Sequence, residues 1–214
     1  MNRADIERLA PASGRRSSLV AALEVVWDRT DGGPARIVEV GTSRNTSERA
    51  AQTDGWATRV FAWYAHNVGG RLTSIDVKPR AIVNARSIVG KYGAPVRFVL
   101  GDALRLLPPI LASHPAVLLY VDGAVDAAWN LALWNAILPQ DRPPLVLLDD
   151  VIGDGPWTGP CASPSWYAAA ERPWGPRGTL LVPELRKQGY DLCCIRDHQI
   201  LLSRPADNDD KGAT

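Results

Sequence analysis

Short apolar runs that end in a glycine or an acid alternate along this chain with longer stretches of helical period. Arg36-Ile37-Val38-Glu39-Val40 stops at Gly41, Leu72 to Ile75 ends in Asp76, and Val96 to Leu100 ends in Gly101-Asp102. Ala116 to Val121 ends in Asp122, and Leu145 to Leu148 ends in Asp149-Asp150. Runs of this kind, continuous rather than alternating, are the profile of strands buried on both faces of a parallel sheet. Between them, Leu19, Leu23 and Val26 recur at helical spacing in a helix predicted over 18–29, with Ser17 as its N-cap. Asp54 is placed to cap a second helix whose apolar face is Trp56, Val60, Trp63 and Tyr64, and Gly69-Gly70 ends it. Further helices are expected over 80–89 and 127–138, and two closing strands over 191–196 and 199–203. Trp56, Trp63, Trp129 and Trp134 fall inside these helices and read as core.

Strands that alternate with helices impose right-handed crossovers. The expected architecture is therefore α/β: a doubly wound, mostly parallel seven-stranded sheet with helices on both faces and an antiparallel edge hairpin. A single domain accounts for residues 1–204. Within it, 153–178 is rich in Pro, Gly and Trp and reads as an irregular, lid-like segment, and the polar tail 205–214 reads as disordered.

Composition narrows the class. The chain of 214 residues is 46% hydrophobic and 22% charged, in the range of soluble globular domains. No apolar run approaches the roughly 20 residues of a membrane-spanning helix, and Arg3, Arg8, Arg15 and Arg16 interrupt the start, so a cytoplasmic address is expected. A net charge of +1 gives no electrostatic case for nucleic acid or membrane as partner, and Arg15-Arg16 reads as solvated surface. Three cysteines are too few for a disulfide framework, and adjacent Cys193 and Cys194 are expected on opposite faces of a strand. His66, His114 and His198 are scattered, which argues against a zinc site.

The acids Asp76, Asp102, Asp122, Asp149 and Asp150 all close a predicted strand, where ligands bind in open α/β sheets because the loops diverge there. At Gly41 the backbone is free to approach a ligand, and the amides and hydroxyls of Thr42, Ser43 and Thr46 are suited to carboxylate or hydroxyl groups. The full G-x-G-x-x-G fingerprint is missing, so an ordinary strand–helix turn remains the competing reading. Asp76 stands where a carboxylate binds ribose hydroxyls, and Asp102 where an adenine amino group would be met; each also suits a plain helix N-cap. Asp122, Asp149 and Asp150, at the ends of neighbouring strands, would repel one another unless protons or a hard cation such as Mg²⁺ intervened.

Glu39-x-Gly41, Ser74-Ile75-Asp76, Gly101-Asp102-Ala103 and Tyr120-Val121-Asp122-Gly123 resemble successive motifs of Rossmann-like S-adenosylmethionine-dependent methyltransferases, over roughly 37–151. The resemblance implies that Glu39 and the Gly41 turn hold the methionine end, Asp76 the ribose, and Asp102 with Ala103 the adenine side. The chain departs from it in its single-glycine turn and in extra residues near 47–55. Asp122 followed by Leu148-Asp149-Asp150 further resembles metal-dependent small-molecule O-methyltransferases of the macrocin and catechol types. That likeness implies a divalent ion on Asp122, Asp149 and Asp150 and a hydroxylated acceptor, a natural-product sugar or phenol. Asp122 would then be ion ligand, general base or contact to the cofactor amine. From the residues themselves, Trp157, Trp166, Tyr167 and Trp174 crowd the irregular segment, where they are suited either to roof an acceptor pocket or to pack a long loop on the sheet. The competing functions are a metal-independent or nucleic-acid methyltransferase, and a nucleotide-binding Rossmann protein using NAD. Self-association is left open.

Overall fold

The apolar runs form five neighbouring strands of one seven-stranded sheet, in the order β3-β2-β1-β4-β5-β7-β6; β3, at the edge, is only partly buried rather than covered on both faces. These are β1 (Arg36–Val40), β2 (Arg71–Asp76), β3 (Val96–Leu100), β4 (Leu118–Val121), β5 (Leu145–Asp149), β6 (Asp191–Arg196) and β7 (Gln199–Ser203). The first five pair in parallel, and β7 runs antiparallel between β5 and β6. The edge hairpin is as expected. This computed structural model describes residues 1–53, 56–123, 126–138, 142–151, 175–196 and 198–205. Asp54, Trp157, Trp166, Tyr167, Trp174 and the tail from 206 lie outside them.

Helices α1 (Arg3–Leu9), α2 (Arg16–Arg29), α4 (Ala57–Val68) and α5 (Pro79–Val89) lie on one face, and α6 (Ala103–Ser113) and α7 (Ala127–Ile137) on the other. Short helices over Glu48–Thr53 (α3), Gly175–Gly178 and Leu181–Lys187 complete the described elements. The two apolar clusters on either side of the sheet are what a doubly wound architecture requires. Leu19, Leu23 and Val26 are fully buried, as their spacing predicts. Trp63 and Trp134 are core; Trp129 is only partly buried against it.

Several local expectations need correction. Ser17 lies inside α2 rather than capping it: Arg15 is the cap residue and makes no side-chain cap bond. Helix α1 is not apparent from apolar period, because its stability comes from a capping box between Asn2 and Asp5 and from one buried side chain, Ile6. Helix α6 is hidden by Pro108-Pro109, which remove two donors. Asp102 caps it, and Leu107 and Leu111 bury completely beneath it. The extra residues after β1 form α3, and the end of the supposed irregular segment is helical at Gly175–Gly178. Cys193 is exposed and Cys194 half-buried, beside a register irregularity in the β6–β7 pair.

Candidate active site

The strand order sets Asp102, Asp76, Gly41, Asp122 and Asp149 in a row along the carboxyl rim of the parallel sheet. A cleft of about 230 Å³ opens at its centre, lined by Glu39, Gly41, Thr42, Ser43, Trp56, Asp122, Asp149, Asp150 and Arg15 among others. Thr46 is exposed and does not line it, and Asp102 and Ala103 stand farther along the rim. Trp56 is not core: it flanks the cleft with φ at +29°, its indole N–H donating to the Asn45 carbonyl at 2.8 Å.

Gly41 is demanded by packing. Its φ is +92°, and a Cβ there would stand 2.7 Å from the Asp122 carbonyl carbon and the Gly123 nitrogen. The turn after β1 is thus pressed against the end of β4, which brings the two halves of the cleft together. Asp76 holds the same turn: the Thr42 amide donates to Oδ2 at 3.0 Å, and the Lys78 amide to Oδ1 at 2.7 Å. The Thr42 hydroxyl adds a third bond, to Oδ2 at 3.3 Å, so of about four acceptor sites roughly one remains for a ribose hydroxyl. Asp102 accepts from the Leu104 amide at 3.0 Å and is the N-cap of α6. It carries the plain cap role there, with its second oxygen open to a ligand.

Glu39 is fully buried, accepting from the Thr58 hydroxyl at 2.9 Å and from Ser74. Thr58 in turn accepts from the Ser43 amide at 2.8 Å, so this carboxyl ties α4 and β2 to the cleft wall. Burial pushes its pKa from 4.5 to about 8. The sign follows from linkage. Unfolded Glu39 loses its proton near 4.5 and the folded group near 8, so within that window the unfolded state binds fewer protons and stability falls as pH rises. Glu39→Gln carries no such proton. Urea titrations from pH 4.5 to 7.5 are expected to shift the stability difference toward the variant by on the order of 3 kcal/mol. A difference that does not change with pH would show Glu39 ionised in the fold.

The three remaining acids sit together, with oxygen atoms from Asp122, Asp149 and Asp150 within 4.8 Å of one another. Their company was not legible in the sequence. Arg15, read as solvated surface, is instead a half-buried clamp: Nη1 lies 2.7 Å from Asp149 and Nη2 3.2 Å from Asp150. Arg177 pairs with Asp122 at 3.1 Å and Asp150 at 2.8 Å. Gln199 is fully buried and donates 2.9 Å bonds to both Asp149 and the Tyr120 hydroxyl, while its carbonyl accepts from Ser18. Burial raises the pKa of Asp149 and of Asp122, and Asp149 lies well above the ordinary carboxylate range. Among the described residues, two guanidiniums face these three carboxyls. His198 does not line the cleft; it turns the β6–β7 hairpin at φ +64°, its carbonyl accepting from the Val151 amide at 2.9 Å.

No protein-family model matches the chain, and no curated protein matches its sequence. Solved structures match its fold. A Podospora anserina methyltransferase with bound SAH superposes with a TM-score of 0.58 at 18% identity, over 89% of this chain and 79% of that one. An O-methyltransferase from Bacillus cereus in complex with SAH gives 0.54 at 16% identity, over 94% and 89%. The calicheamicin methyltransferase CalS11 gives 0.54 at 14%, over 87% and 78%. The chain has the Rossmann-like fold of S-adenosylmethionine-dependent methyltransferases.

Proposed function

We propose that this protein is an S-adenosylmethionine-dependent methyltransferase acting on a hydroxyl of a small molecule. The observation that carries the reading is one cleft that unites the Gly41 turn with Asp122, Asp149 and Asp150. Support for an oxygen acceptor and a small substrate comes from the Bacillus cereus O-methyltransferase and the calicheamicin methyltransferase among the fold's neighbours.

The cofactor would supply an already activated methyl group. This chain's residues have to bind, align and deprotonate. Asp76 would take a ribose hydroxyl and Asp102 with Ala103 the adenine side, while Glu39, Gly41, Thr42 and Ser43 would receive the methionine end. Alignment of donor and acceptor alone is worth several kcal/mol. Asp122, whose pKa burial raises above that of a free carboxylate, would take the acceptor's hydroxyl proton.

The donor set of the triad fits a hard divalent cation in type and spacing: all oxygen, on two neighbouring strands. Such an ion on Asp122, Asp149 and Asp150 would lower the pKa of a bound hydroxyl. It would share these oxygens with Arg15 and Arg177. A metal-independent reading rests on those same two guanidiniums, which already balance most of the acids' charge.

Calorimetry with SAH and with NAD, each with and without Mg²⁺, separates the readings. SAH is expected to bind, and Asp76→Ala to weaken it by about 1.5–3 kcal/mol. Preferential binding of NAD would end the methyltransferase reading, and unchanged SAH affinity in the folded Asp76 variant would remove the ribose assignment. Under the metal reading Mg²⁺ gives its own heat, lost in Asp149→Asn; absence of that heat with SAH bound favours the metal-independent enzyme.

A further inference from the structure

A second concavity opens at the opposite end of the sheet, where β1, β2 and β3 begin. Arg36 and Arg71 are neighbours in register, and Arg97 is the neighbour of Thr73. Side chains alternate along a strand, so all three arginines and Thr73 leave one face of the sheet. Val38, Ile75 and Val99 continue that face into the core beneath α6, and the end of α6 carries Ile110 and His114 over the arginines. The groove so formed encloses about 380 Å³, and no acid lines it. Among the described residues the three guanidiniums have neither an ion pair nor a hydrogen bond. Like charges on neighbouring strands weaken a sheet, so stability does not account for the arrangement.

We propose that this groove binds a small anion bearing two or more linked phosphoryl groups. A guanidinium presents its donors in a fork that matches phosphate oxygens, and three arginines line this groove together with Thr73. The volume lies within the range of small-ligand pockets, and Ala94, Pro95 and Ile110 offer an apolar wall for an organic portion. The concave shape and a net charge of only +1 favour a compact ligand over a long nucleic acid. About 15 Å of strand separates this groove from the carboxyl rim, so the anion acts outside the cofactor cleft.

Isothermal titration of the full chain with inorganic tripolyphosphate, at about 150 mM salt to suppress loose surface attraction, tests the site. One saturable site is expected, with affinity unaffected by saturating SAH and reduced tenfold or more by Arg71→Gln or Arg97→Gln. Both arginines are exposed, so these variants are expected to melt with the wild type. No saturable heat at millimolar ligand, or wild-type affinity in the double variant, overturns the proposal. So does competition by SAH, which would move the binding to the other cleft. Tighter binding of a single-stranded RNA, with an affinity that falls steeply with salt, would replace the small-ligand reading by a nucleic-acid surface.

Discussion

Arg15→Met is expected to cost about 3–5 kcal/mol of stability, the scale for removing one partner of a buried ion pair. Arg15 is 14% exposed and Asp149 1%, so neither end is screened as a surface pair would be. Without the guanidinium, Arg177 is what remains among the described ion pairs to balance Asp122, Asp149 and Asp150. The pKa values of Asp122 and Asp149, already raised, then climb further, and these two carboxyls have to take up protons. The loss is therefore smallest in mild acid, where protons are cheap to bind, and grows as pH rises toward 8. Melting curves of wild type and variant at pH 5.5 and 8 check this, with a gap of roughly 10 °C at the higher pH. A gap below about 1 kcal/mol, or one that widens in acid, would show that the arginine is not what neutralises the triad.

Gly41→Ala is the second large effect, through geometry rather than charge. The strain of a side chain at φ +92° adds to a contact of 2.7 Å with main-chain atoms that cannot rotate away. Together these are worth about 2–4 kcal/mol. Relief requires the β1 turn and the end of β4 to separate, which displaces Asp122 and Thr42 together. SAH affinity is expected to fall at least tenfold even where the variant folds. Gly69→Ala is the control: φ is +68°, but nothing lies within 4 Å of a Cβ there. It should cost about 1 kcal/mol and leave cofactor affinity unchanged. Equal behaviour of the two variants would mean that the close approach at Gly41 does not build the cleft.

The parallel strands, their order of acids and the closing hairpin were legible because each depends on local signals. An apolar run ended by Gly41 or Asp76 declares a buried strand and its carboxyl end wherever the rest of the chain goes. Helices α1 and α6 were not legible, since a capping box with one buried Ile6 leaves almost no period, and Pro108-Pro109 mimic a break. Trp56 carried a helical period but stands at the cap, where the chain turns and leaves it beside the cleft.

The amino-acid sequence by itself determined the α/β class, the acid-bearing rim and the residue types that suit a nucleoside cofactor. Only the tertiary structure decided how the acids are neutralised. Arg15 and Arg177 lie far from Asp122, Asp149 and Asp150 along the chain, and Coulomb attraction depends on distance in space. The same holds for Arg36, Arg71 and Arg97: scattered charges in a nearly neutral chain become one basic groove because strand register sets them side by side on a single face.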